Sequence, residues 1–235
     1  MNRTLLTAFL RQRLTSPMRL GLMVLMTLFP LGLVAIMGSL SPLSGIAGPL
    51  ALVFAAGAIG QDVSSGTLQL LLVRPVTRPA YLVSRWLASV AGALGLTLLM
   101  FALGALVLML KGTPPAAAEL ATLSLEAASV AAGNAAVMVM LSTLAGGLSD
   151  VGIYFASLLL LQMLGAAASF AHWGWVVRAS SELEGVLGPK LSFVWLVQHT
   201  PPSWFALTSW ASSITLALAV GIARLNRREL SYAAG

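Results

Sequence analysis

The chain has 235 residues, of which 58% are hydrophobic and 9% charged, and its mean hydropathy is +0.93. So little polar surface does not solvate a soluble globule of this length, and the composition points to a bilayer as solvent. The net charge of +6 forms no basic stripe of the kind that binds nucleic acid, because the Lys and Arg residues sit in short segments between apolar runs, and the absence of Cys excludes disulfides, thiolate metal sites and cysteine nucleophiles.

In chain order, residues 2–17 place Leu5, Leu6, Phe9, Leu10 and Leu14 mostly on one side of a helix, with Thr7 and Arg11 on the other and Arg13 inside the apolar side. Two readings fit: a helix lying in the membrane interface, or a plain basic anchor for the span after it. A spanning helix needs about 20 apolar residues. Six stretches meet or approach that length without a charge: 20–40, 43–60, 86–110, 127–148, 151–171 and 205–223. The second is short, Gly-rich and interrupted by Pro49, which predicts a kink or a tilted crossing there. The first is long for a secretory signal and lacks a clear small-residue cleavage site, so it reads as an uncleaved span.

With six crossings the termini share a side with the second and fourth loops. That side collects Arg3, Arg11, Arg13, Arg19, Arg74, Arg78, Arg85, Arg224, Arg227 and Arg228, against Lys111, Arg178 and Lys190 on the other. The bias predicts that both termini are cytoplasmic. On the opposite side the segment 172–204 is the longest polar stretch and carries Trp173, Trp175, Phe193, Trp195 and Trp204. Ser181 with Glu184 three residues on resembles a capping box, and Gly188-Pro189 ends any helix that starts there. Short re-entrant or interfacial helices fit these signals, as does an aromatic belt that anchors the flanking spans.

The loop at 61–79 carries the most information. Ser64 or Ser65 suits a helix start, Leu68, Leu71 and Leu72 recur at helical spacing, and Pro75 disfavours helix at Arg74. The pattern predicts a short amphipathic helix held between two spans. The run Asp62, Gly66-Thr67, Leu70-Leu71-Leu72, Arg74-Pro75, Val76, Thr77 and Arg78 resembles the coupling segment of type-2 ABC transporter permeases, with Gln69 where many members carry an acidic residue. The six-span plan, the amphipathic start, the long loop before the last span and the basic tail resemble that family too.

The resemblance implies a single transmembrane permease domain over residues 1–235, in the plasma (inner) membrane, paired with a second permease copy or a related permease. It implies two cytoplasmic ABC ATPase subunits that bind ATP and Mg and push on Asp62, Gly66, Thr67, Leu68, Leu71, Leu72, Arg74, Pro75 and Arg78. Export from the cytoplasm or inner leaflet is the implied direction.

The chain has no Gly-x-x-x-x-Gly-Lys-Ser/Thr loop to cradle phosphates, so ATP hydrolysis is expected on a partner, and no enzyme activity, bound cofactor or metal is expected of this chain. Ion-coupled carriers usually hold carboxylates at membrane depth, and here only Glu126 comes near it, where interfacial capping is the commoner use. An ion-coupled carrier or channel remains the alternative. An intramembrane serine protease would need Ser169 with His172, or His199, at mid-membrane depth. Asn134 and Gln162 are the clear amides inside spans, suited to interhelical hydrogen bonds or to a polar pathway. The fold class expected is all-α: six transmembrane helices, an N-terminal interfacial helix, a short cytoplasmic helix and a helical outer segment.

Overall fold

Six segments of the computed structural model are long and apolar enough to cross a membrane: Arg19–Met37, Ser41–Ser64, Arg78–Leu110, Ala117–Leu144, Ser149–Phe170 and Trp204–Arg227. The structure describes residues 3–15, 17–66, 77–145, 148–198 and 201–227, which form helices and loops with no strand among them. The helices are α1 (Arg3–Leu14), α2 (Pro17–Met37), α3 (Ala47–Ala55), α4 (Gly60–Ser64), α5 (Arg78–Leu110), α6 (Ala117–Leu144), α7 (Ser149–Phe170), α8 (Gly174–Leu187), α9 (Val194–Gln198) and α10 (Trp204–Arg227), with a 3-10 turn at Ser41–Leu43. The described residues are therefore all-helical, with six helices long and apolar enough to span, as the apolar runs predict.

Several boundaries differ from the apolar runs for local reasons. The third span starts at Arg78 rather than 86, because the Thr77 hydroxyl caps it by accepting from the Ala80 N–H (3.4 Å) and Pro79 lies in the first turn, where its missing N–H loses no bond. The fourth starts at Ala117 rather than 127 and so takes Glu119 and Glu126 into the helix. At the second crossing Pro49 is likewise in the first turn of α3 and kinks nothing. The interruption falls instead at residues 56–59, where Gly57 adopts φ of +61°.

Breaking a span at membrane depth exposes backbone donors that lipid does not satisfy. Neighbouring helices supply the partners. Ser142 Oγ of α6 accepts from the N–H groups of Ile59 and Gly60, both at 2.9 Å, and Asp150 Oδ2 of α7 accepts from the Gly57 N–H at 2.7 Å.

The interior is built from α3, α5 and α6, which pack on one another, with α10 laid across α6 and α2 against α5. Small residues allow the approach. A Cβ on Gly92 would overlap the Phe54 ring, and one on Gly48 would come within 2.8 Å of the Asn134 amide nitrogen. Spans α2, α7 and α10 stay largely exposed and turn Leu25, Phe29, Leu159, Leu160 and Leu216 outward, as expected for surfaces facing lipid or a partner.

Helix α1 and the end of α10 both meet the start of α5. Phe9 packs edge-on against Tyr81 with ring centroids 5.9 Å apart, and Arg78 Nη1 donates to the carbonyls of Leu225 (3.1 Å) and Asn226 (2.8 Å). Helix α1 and the C-terminal end of α10 thus lie at one end of the bundle, called basal below. At the opposite, distal end the chain turns at His172 (φ 57°) and α8 runs back along α7. Because α8 begins at Gly174, Ser181 and Glu184 lie inside it and form no capping box: the Ser181 hydroxyl donates to the Arg178 carbonyl.

The next segment, 188–193, lies against α6. The Pro189 carbonyl occupies the space left by the missing side chain of Gly133, the Leu191 N–H donates to Ser129 Oγ (3.1 Å), and Glu126 Oε1 accepts from Ser192 Oγ (3.1 Å) and the Phe193 N–H (3.0 Å). Gly133 is about 24 Å along α6 from its distal end, so this segment folds back among the spans. Glu126 is its tether rather than a helix cap.

Candidate functional site at the basal end

The basal end concentrates the polar side chains of the bundle. Asp62 lies on α4, the last turn of the broken second span, and Tyr81 and Arg85 lie one turn apart on the same face of α5. The broken span turns Asp62 inward, where it pairs with Arg85 Nη2 and accepts a 2.5 Å hydrogen bond from the Tyr81 hydroxyl. Arg85 also donates from Nε to the Tyr81 oxygen (3.3 Å) and from Nη1 to Gln12 Oε1 of α1 (3.2 Å), and its guanidinium stacks on the Phe9 ring at 3.6 Å. The Asp62 and Arg85 side chains are 4% and 3% exposed, so water does not screen the pair. One ionic cluster therefore ties α1, α4 and α5 together.

Two further contacts complete the basal frame. Arg78, at the first turn of α5, neutralises the free carbonyls at the C-terminal end of α10, where a cation is favourable. Asp150 is fully buried at the start of α7; besides Gly57 it accepts from the Val151 N–H at 2.9 Å, at the helix end that favours an anion.

Of the residues implicated by the sequence, Asp62, Gly66 and Arg78 fall in the described structure. Asp62 is in the cluster, Gly66 (φ +71°) comes after α4, and Arg78 holds α10 rather than Asp62. Ser64 and Ser65 lie at the C-terminal end of α4. Thr67, Leu68, Leu71, Leu72, Arg74 and Pro75 lie outside the described residues.

The two amides go to different places. Asn134 is buried between α3 and the Gly188 backbone, and its Oδ1 has no hydrogen-bond partner among the described residues. Gln162 is exposed on α7 and donates from Nε2 to Glu184 Oε1 of α8 at 3.4 Å. The Ser169 hydroxyl donates to the Gly165 carbonyl of its own helix, His172 is exposed, and His199 lies outside the described residues. Among the described residues, no three His, Cys, Asp or Glu side chains gather to hold a metal.

Sequence reasoning missed Gln12, Tyr81, Arg85, Ser142 and Asp150 as a basal polar frame. It counted Arg85 among the membrane-boundary charges that set topology, whereas the structure buries it against a carboxylate. A usable signal was present: Asp62 and Asp150 are acidic residues at an otherwise basic end, and an anion there is best explained by a specific partner. The chain matches no protein-family model, and no curated protein is similar to it in sequence.

Proposed function

We propose that this chain is the membrane-spanning subunit of a type-2 ABC exporter, working as a pair with a second permease and driven by two ATPase subunits that hold ATP and Mg. The observation that carries the reading is the anchoring of the described residues on either side of segment 67–76. Its N-terminal flank is held by the Asp62–Arg85–Tyr81 cluster, and its C-terminal flank by the Thr77 cap and the Arg78 contact with α10. A push arriving at either flank is delivered to α4, α5 and α10 together, and packed helices carry hinge and shear motions. The exposed side of α10 leaves room for the second permease.

In this reading ATP-driven closure of the ATPases displaces the segment and switches the spans between inward-open and outward-open arrangements. The ion-coupled alternative would draw on the buried carboxylates Asp62 and Asp150. Both are committed, one to Arg85 and Tyr81 and the other to backbone N–H groups, which favours a structural use.

The test uses the full chain co-reconstituted with a soluble Walker A ATPase as the candidate partner. Wild type is expected to stimulate ATP hydrolysis, and Leu71→Asp/Leu72→Asp to insert normally but lose stimulation. Unchanged transport by that variant refutes the coupling role, and transport driven by a proton or sodium gradient without ATP refutes the class.

A further inference from the structure

An open groove of about 620 Å³ lies at the basal end between α2, α3 and α7. Its walls are apolar, with Met26 of α2, Leu52 and Val53 of α3 and Phe155 of α7. Its basal mouth is polar: Arg19 stands there half-buried, flanked by Gln12 and Gln61. The groove runs from Ala56 at the mouth to Pro49, about 10 Å deeper along α3. It opens between α2 and α7, two spans with largely exposed sides.

The state of Arg19 identifies the kind of occupant. Its Nη2 donates to the Ala56 carbonyl (3.2 Å) and to Gln61 Oε1 (3.1 Å), but it forms no ion pair among the described residues. Asp150 attracts Arg19 electrostatically from behind the groove but forms no ion pair with it, its oxygens accepting from the N–H groups of Gly57 and Val151. A guanidinium carries five N–H donors in a fork suited to phosphate. A cation with no direct ion pair among the described residues, continued inward by an apolar trough, matches an anionic lipid in both charge and polarity profile.

We propose that this groove binds an anionic phospholipid of the basal leaflet, its phosphate on Arg19 and an acyl chain along Met26, Leu52, Val53 and Phe155. The site stands whether or not the chain works with an ATPase.

The test is lipid retention by the full chain. Protein is reconstituted in discs of phosphatidylcholine with one part in ten phosphatidylglycerol, released into mild detergent, and its bound lipid is counted by native mass spectrometry. Wild type is expected to retain phosphatidylglycerol above its bulk share. Arg19→Gln is expected to lower that preference about fivefold, the usual effect of one basic residue on an anionic lipid, while Arg19→Lys keeps most of it. Gly152→Trp is expected to abolish retention of that lipid: Gly152 lines the groove and a Cβ on it meets nothing within 4 Å, so the indole fills the groove and not the core. This second variant decides the matter by itself if Arg19→Gln does not accumulate.

The proposal is overturned if wild type shows no preference for phosphatidylglycerol, or if either variant that accumulates behaves as wild type. It is also overturned if millimolar inorganic phosphate strips the retained lipid, which marks a free-anion site, or if only lipid-free dimers appear, which marks a groove covered by a second copy.

Discussion

Removing one partner of the Asp62–Arg85 pair should destabilise the chain far more than removing both. Asp62→Asn leaves a guanidinium that is 3% exposed against the Tyr81 oxygen, the Gln12 amide and the Phe9 ring, with the like charge of Arg19 nearby. Arg85→Gln leaves a carboxylate that is 4% exposed with the Tyr81 hydroxyl as its remaining side-chain donor among the described residues. Stranding a buried charge in this way costs about 3–5 kcal/mol. For a chain of this size, 1 kcal/mol shifts the unfolding midpoint by about 2–4 °C, so each single variant should lose about 6–20 °C. The double variant Asp62→Leu/Arg85→Met strands no charge and should recover most of that loss, whereas Tyr81→Phe, which deletes only one hydrogen bond to a charged group, should cost about 1.5–3 kcal/mol.

The assay is thermal unfolding of the full chain in one detergent at one scan rate, monitored by tryptophan fluorescence, with each of the four variants compared with wild type. Single variants within about 2 °C of wild type, or a double variant that loses the sum of the singles, would refute the view that the cluster holds α1, α4 and α5 together.

Ser142→Ala removes the one side-chain oxygen that accepts from both Ile59 and Gly60, leaving two buried N–H groups at the break in the second span. An unsatisfied buried donor costs about 1–3 kcal/mol, so the same melting assay should show a loss of at least about 2 kcal/mol, and a change under about 0.5 kcal/mol would mean that the break is supported in another way. Because the chain has no Cys, single cysteines placed at Arg3 and Thr113 report topology without background. An impermeant thiol reagent should reach Thr113→Cys from outside the cell and Arg3→Cys only after lysis, and labelling of both from one side would overturn the assigned orientation.

The membrane class and the number of spans were legible in the sequence because both depend on counting apolar residues over a length set by the bilayer, a local property. The helical start was legible for the same reason: the spacing around Phe9 and Leu10 marks a helix whichever surface it meets. Small residues such as Gly92 also announced close packing, although not the Phe54 ring that fills the gap.

What tertiary structure alone decided is the use of each polar residue. Pro49 looked like the weak point of the second span, yet in a first turn it gives up no hydrogen bond, and the chain breaks at Gly57, where a positive φ is free and Ser142 and Asp150 wait with acceptors. Glu126 looked like a cap and proved to be the tether of the segment after α8. Arg85 reads the same in a sequence whether it faces lipid headgroups or a buried carboxylate. The difference depends on Asp62, brought in by the broken span, and on Phe9 and Gln12, brought in by the first helix. Apolar burial comes from each residue's own character and is written along the chain, whereas an ion pair exists only between two residues, and their distance in space is set by how the helices pack.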